Sequence, residues 1–119
     1  MTFEECACSG KTLARLLQPA VMALLADEPL HGYRLAQRLQ EMAMFRGNPP
    51  DPTGLYRMLK SMEDRGLVTS TWDLAERGAA KRQYKLTRSG RVCLRKWSKT
   101  LADYSQALAE ILQVIQAAT

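Results

Sequence analysis

The apolar positions first recur at helical spacing and later switch to alternation. Leu13, Leu16, Leu17, Val21, Leu24 and Leu25 predict a first helix that ends near "ADEP", with Pro19 at its start or at a kink. After Pro29, the stretch "LHGYRLAQRLQEM" places Leu35, Ala36, Leu39 and Met42 on one face and Arg34, Gln37, Arg38 and Glu41 on the other, so a second helix with one buried side follows. "FRGNPPDP" cannot continue it, because its prolines lack amide donors and bar helical geometry in the residue before them. A third helix lies within "PDPTGLYRMLKSMEDRGLV", Pro50 to Val68. Thr53 suits its N-cap or first turn, and Gly66 suits the left-handed position past its end, where Leu67 can close back on Met62. Leu55, Leu59 and Met62 form the buried stripe of this helix of about three turns; Tyr56, Arg57, Lys60 and Asp64 are left outside.

Two strands follow. Val68, Ser70, Trp72 and Leu74 alternate with Thr69, Thr71 and Asp73, and "RQYKLT" sets Tyr84 and Leu86 against Gln83 and Lys85. Between them "AERGAAK" supplies a tip around Gly78, flanked by Arg77, Lys81 and Arg82. Three helices and a basic hairpin, in that order, predict a mainly α fold with a small β-hairpin: a winged helix-turn-helix whose third helix enters the major groove while the hairpin touches the DNA backbone.

The chain from Thr87 onward reads as one long helix. Leu94, Trp97, Leu101, Tyr104, Leu108, Ile111 and Ile115 are separated by 3, 4, 3, 4, 3 and 4 residues, an unbroken heptad seam. Such a helix extends about 45 Å at 1.5 Å per residue, more than the small domain can cover. The expected partner is a second copy, giving a homodimer; the alternative is that the helix folds back onto the chain's own first helix. Residues 1–87 then form the DNA-binding domain with an N-terminal extension, and residues 88–119 the C-terminal dimerisation helix.

Composition supports one domain. The chain has 119 residues, 46% hydrophobic and 24% charged, which is ordinary for a soluble protein. No apolar run approaches the roughly 18 to 20 residues that cross a bilayer, and "MTFEECACSGK" opens on acids instead of a secretory signal, so a cytoplasmic location is expected. Three cysteines, Cys6, Cys8 and Cys93, do not make a secreted disulfide framework. The net charge of +5 matters for where it sits: Arg77 to Lys99 holds nine Lys or Arg and no Asp or Glu. That block is an expected anion surface. A phenol and two cations on the third helix suit phosphates and base edges.

"LLADEPLHGYRLAQRL" and "TGLYRMLKSMEDRGLV", followed by a tryptophan strand and "RQYKLTRSG", resemble the PadR family of bacterial transcriptional regulators, named for repressors of phenolic acid decarboxylase genes. The resemblance spans roughly Leu17 to Leu94 and implies a winged-helix DNA-binding dimer, usually a repressor; the single C-terminal helix matches the family's shorter members. By that match Tyr33, Thr53, Tyr56, Arg57 and Lys60 lie against DNA; apart from the match, Arg34 and the wing cations Arg77, Lys81 and Arg82 are expected DNA contacts as well. The wing departs from the family pattern in lacking the proline that often follows its glycine.

Multidrug-binding members of the family carry a tryptophan that stacks on planar aromatic ligands where this chain has Trp97, so the resemblance also implies an effector slot there; the alternative is a tryptophan that fills the seam. Cys6, Cys8 and Cys93 leave open a thiol- or metal-responsive regulator. A coiled-coil adaptor that does not bind DNA is the remaining rival, and it leaves the basic block without a role. No enzyme is expected. The only histidine, His31, abuts Gly32 at a helix start, and the chain has no phosphate-binding glycine loop, nucleophile elbow or acid pair in a catalytic setting. No cofactor is expected either.

Overall fold

Prolines, glycines and an aspartate set where the helices begin and end. In the computed structural model, which describes residues 15–73 and 81–119, Pro19 occupies the first turn of α1 (Leu17–Asp27), where its missing amide costs no helical bond. α1 buries Ala20, Val21, Met22 and Leu25. A two-residue strand, β1 (Leu30–His31), leads directly into α2 (Gly32–Glu41), and a 3-10 turn over Ala43–Phe45 tucks Phe45 into the core.

α3 (Pro52–Asp64) starts two residues earlier than a Thr53 cap requires. Asp51 is the N-cap, its carboxylate accepting from the Gly54 amide at 3.3 Å, with Pro52 at the first helical position; Thr53 is the first-turn residue. The far end closes as the sequence predicts. Gly66 has φ 76°, and the amides of Leu67 and Gly66 donate to the carbonyls of Met62 (2.9 Å) and Glu63 (3.0 Å), both bonds of a Schellman motif.

β2 (Val68–Asp73) and β3 (Lys81–Leu86) pair antiparallel from Val68 opposite Leu86 to Asp73 opposite Lys81. The expected hairpin is part of a three-stranded sheet of order β1-β3-β2, with Leu30 opposite Tyr84. The alternation holds near the core, where Val68, Tyr84 and Leu86 are buried. Trp72, on the same side of its strand as Val68, is 61% exposed because the hairpin there has run past the core. The core gathers Leu35 and Leu39 of α2, Leu55, Leu59 and Met62 of α3, the α1 face and the sheet into one cluster.

α4 (Arg88–Ala118) has 31 residues, about 46 Å of helix. Thr87 caps it by accepting from the Gly90 amide at 3.0 Å, and the Thr87 hydroxyl and amide both donate to the α3–β2 turn, reaching the Leu67 carbonyl at 3.0 Å. The approach is so close that a Cβ on Gly90 would stand 2.1 Å from the Leu67 oxygen. Cys93, Leu94 and Trp97 are half-buried against the core. Beyond Leu101 the helix leaves its own domain, and Tyr104, Leu108, Ile111 and Ile115 are exposed together with Leu112 and Val114. Packing onto the chain's own first helix therefore accounts only for the start of the heptad seam.

Candidate nucleic-acid interface

The amphipathic pattern of α3 buries its leucines, and this turns the opposite side outward. Thr53, Tyr56, Arg57 and Lys60 line an open groove of about 600 Å³ along that face, with Ser61, Asp64 and Arg65 at its far end. Lys60 lies 3.8 Å from Asp64, an exposed pair one helical turn apart and worth little. Arg57 makes no ion pair among the described residues, so its guanidinium is available for a bidentate acceptor.

A second surface adjoins the first. Close packing of α2 on α3 places the Tyr56 ring over Gly32, where a Cβ would come within 2.6 Å of it. Tyr33, 49% exposed at the start of α2, stacks on His31 with ring centroids 5.7 Å apart, and the Lys81 ammonium sits 5.1 Å from the Tyr33 centroid. These residues border a recess of about 200 Å³ between the N-terminus of α2, the middle of α3 and the start of β3. An ammonium, two phenols and the positive end of a helix form an environment for a phosphate.

Not every expected residue joins this face. Arg34 points along α2 to the Gln37 side chain at 3.0 Å. Arg82 borders the recess but its Nη2 donates to Glu63 at 3.0 Å and its Nε to Ser70 at 2.8 Å. Arg77, Cys6 and Cys8 lie outside the described residues. Burial pushes the Tyr84 phenol above its ordinary range; Arg82 opposes this, while Glu63 and Tyr56 add to it.

Two contributors escape sequence reasoning. His31, which reads as a cap or a solvent contact, donates from Nε2 to an Asp73 carboxylate oxygen at 3.2 Å and so ties the start of α2 to the end of β2. Glu63 is singled out by no pattern in the sequence. The His31–Asp73 contact spans 42 positions, and the Glu63–Arg82 contact spans 19, so no local pattern signals them.

Three helices, a three-stranded sheet with a projecting hairpin and a basic, aromatic face over the third helix define a winged-helix protein. The chain belongs to the transcriptional regulator PadR-like family, whose model matches residues 21–96. No curated protein matches the sequence. Among solved structures, a protein assigned as a transcriptional regulator in Thermoplasma acidophilum is similar at TM-score 0.74 and 26% identity, over 87% of this chain and 96% of that one. A PadR-like transcriptional regulator from Bacillus cereus shares the fold at TM-score 0.74 and 19% identity, over 87% and 97%. Bacillus subtilis PadR in complex with operator DNA is similar at TM-score 0.62 and 28% identity, over 70% of this chain and 46% of that longer one. This chain is thus a PadR-family transcriptional regulator.

Proposed function

We propose that the chain binds operator DNA as a homodimer and represses transcription until a small planar aromatic ligand releases it. α3 enters the major groove with Arg57 and Lys60 toward base edges, while Tyr33, Tyr56 and Lys81 hold phosphates on either side. The observation that carries this reading is the convergence of these five side chains, from three separate elements, on the two adjoining surfaces. The relative in complex with operator DNA supports it. The exposed seam of α4 supplies the dimer contact, and twofold symmetry places two copies of α3 on half-sites spaced by about 34 Å or a multiple. The ligand part rests on Trp97, which with Cys93, Lys96 and Thr100 borders a shallow recess of about 130 Å³ near the start of that seam.

Selection of bound duplexes from a random pool, repeated with variants, tests the DNA part. Arg57→Ala and Lys60→Ala should alter the selected sequence, at about 1 to 3 kcal/mol for each side chain that hydrogen-bonds a base edge. Lys81→Ala should leave the preference intact and lower the slope of log K against log salt by about 0.9, the equivalent of one phosphate. A preference unchanged in both helix variants takes α3 out of the groove.

A further inference from the structure

The wing runs beyond the apolar core: past Tyr84 and Ser70 no side chain of β2 or β3 is buried. What holds it against α3 is polar. Glu63, on the last turn of α3 and 26% exposed at its side chain, receives Arg82 Nη2 from β3 at 3.0 Å on one carboxylate oxygen. Its other oxygen accepts from the Ser70 hydroxyl of β2, and that same hydroxyl oxygen accepts from Arg82 Nε at 2.8 Å. A closed ring of three hydrogen bonds therefore joins α3, β2 and β3. The guanidinium is further confined by Trp72, its cross-strand partner, whose ring centroid is 5.5 Å away, and by the Tyr84 ring at 5.9 Å. On the opposite flank His31 holds Asp73, tying the hairpin to α2.

This arrangement conflicts with a simple reading of Arg82 as a wing cation. A guanidinium shared between a carboxylate and a hydroxyl must break that ring before it can take a phosphate in the same bidentate way. Its neighbour Lys81 has no such partner among the described residues and lies beside Tyr33. We propose that Glu63 is a positioning residue for operator recognition: through Ser70 and Arg82 it fixes the wing on α3, and it withholds the Arg82 charge from nucleic acid. Lys81 then meets the backbone at a set distance from Arg57 and Lys60, so discrimination depends on the ring, while indiscriminate attraction is reduced by one cation. Unpaired charge would strengthen binding to every duplex alike.

The proposal rests on the DNA-binding reading, and two measurements separate their failures. In DNA-free protein with Trp97→Phe, Trp72 is the sole emitter, and Glu63→Gln should shift its emission by loosening the guanidinium beside it. With DNA, Glu63→Gln should tighten binding to random duplex, steepen the salt slope by about 0.9 as Arg82 takes a phosphate, and cut the operator-to-random ratio on the order of tenfold, the scale of one coupled side-chain network. Arg82→Ala should lose discrimination with the slope nearly unchanged. The exchange of both residues, Glu63→Arg with Arg82→Glu, should restore discrimination above that of Arg82→Ala. Unaltered Trp72 emission overturns the ring in solution. An Arg82→Ala slope lower by about 0.9, with Glu63→Gln behaving as wild type, makes Arg82 a phosphate ligand and overturns the proposal. If the wild type binds no duplex, the functional reading fails while the emission measurement still judges the ring.

Discussion

Two glycines in helices should respond to alanine with opposite signs. Gly90, in the first turn of α4, is pressed against the α3–β2 turn: an added Cβ would lie 2.1 Å from the Leu67 carbonyl oxygen and 2.7 Å from Leu86 Cδ1. The backbone oxygen cannot rotate away, so Gly90→Ala must push the start of α4 outward by about 1 Å. That displacement breaks the hydrogen bonds that seat the helix, namely the Thr87 amide to Leu67 at 3.0 Å and the Thr87 hydroxyl to Gly66 at 2.6 Å. Two hydrogen bonds at about 1 kcal/mol each, with poorer packing around Leu86 besides, outweigh the roughly 1 kcal/mol that alanine contributes through helix propensity. The net effect should be a destabilisation of about 1 to 2 kcal/mol, or on the order of 3 to 12 °C in melting temperature for a domain of this size. Gly54, in the first turn of α3, has nothing closer than Asp51 Cβ at 3.9 Å, and Gly54→Ala should stabilise by about 0.5 to 1 kcal/mol. Thermal and urea unfolding followed by circular dichroism measure both. A Gly90→Ala variant as stable as the wild type refutes the close approach, and with it the fixed angle at which α4 leaves the domain.

Leu108→Asp with Ile115→Asp alters side chains that are 65% and 54% exposed in the single chain, so the domain should keep its helical signal while sedimentation shows that self-association has gone; a wild type that is monomeric at micromolar concentration removes the dimer. With Trp72 replaced by Phe, planar phenolic acids or dyes should quench Trp97 and lower DNA affinity, to the extent that they prefer the DNA-incompetent dimer; emission unchanged up to millimolar ligand assigns Trp97 to packing alone. The raised Tyr84 phenol gives an alkaline signature. Its neutral form is favoured by folding, so that stability is fully present below the ordinary tyrosine range near 10 and lost as pH rises through the folded value. Tyr84→Phe should flatten the fall of melting temperature above pH 10, and an identical fall in both proteins places the titration elsewhere.

Local physics made much of this protein legible from its residues. Helical periodicity picked out Leu35 and Leu39, and Leu55, Leu59 and Met62, as buried faces, and all five are buried. The left-handed turn needed at Gly66, the alternation of Tyr84 and Leu86, and the heptad spacing of α4 likewise follow from rules that act within a few residues. Tyr56, Arg57 and Lys60 had to face outward once the leucines of the same helix were placed. Folding decided what depends on distant neighbours. β1 has two residues, too few for any period to show, and exists because β3 offers it an edge. Asp51 rather than Thr53 caps α3, a choice between nearby oxygens that only backbone geometry makes. Trp72 alternates as a core residue should, yet the core ends before it. Arg82 resembles Lys81, a wing cation in the same basic run, until the fold sets Glu63 and Ser70 beside one and Tyr33 beside the other. Charge and periodicity are properties of the chain, whereas the partner of a charge, and the point at which a strand leaves the core, are fixed only when segments far apart in sequence pack together.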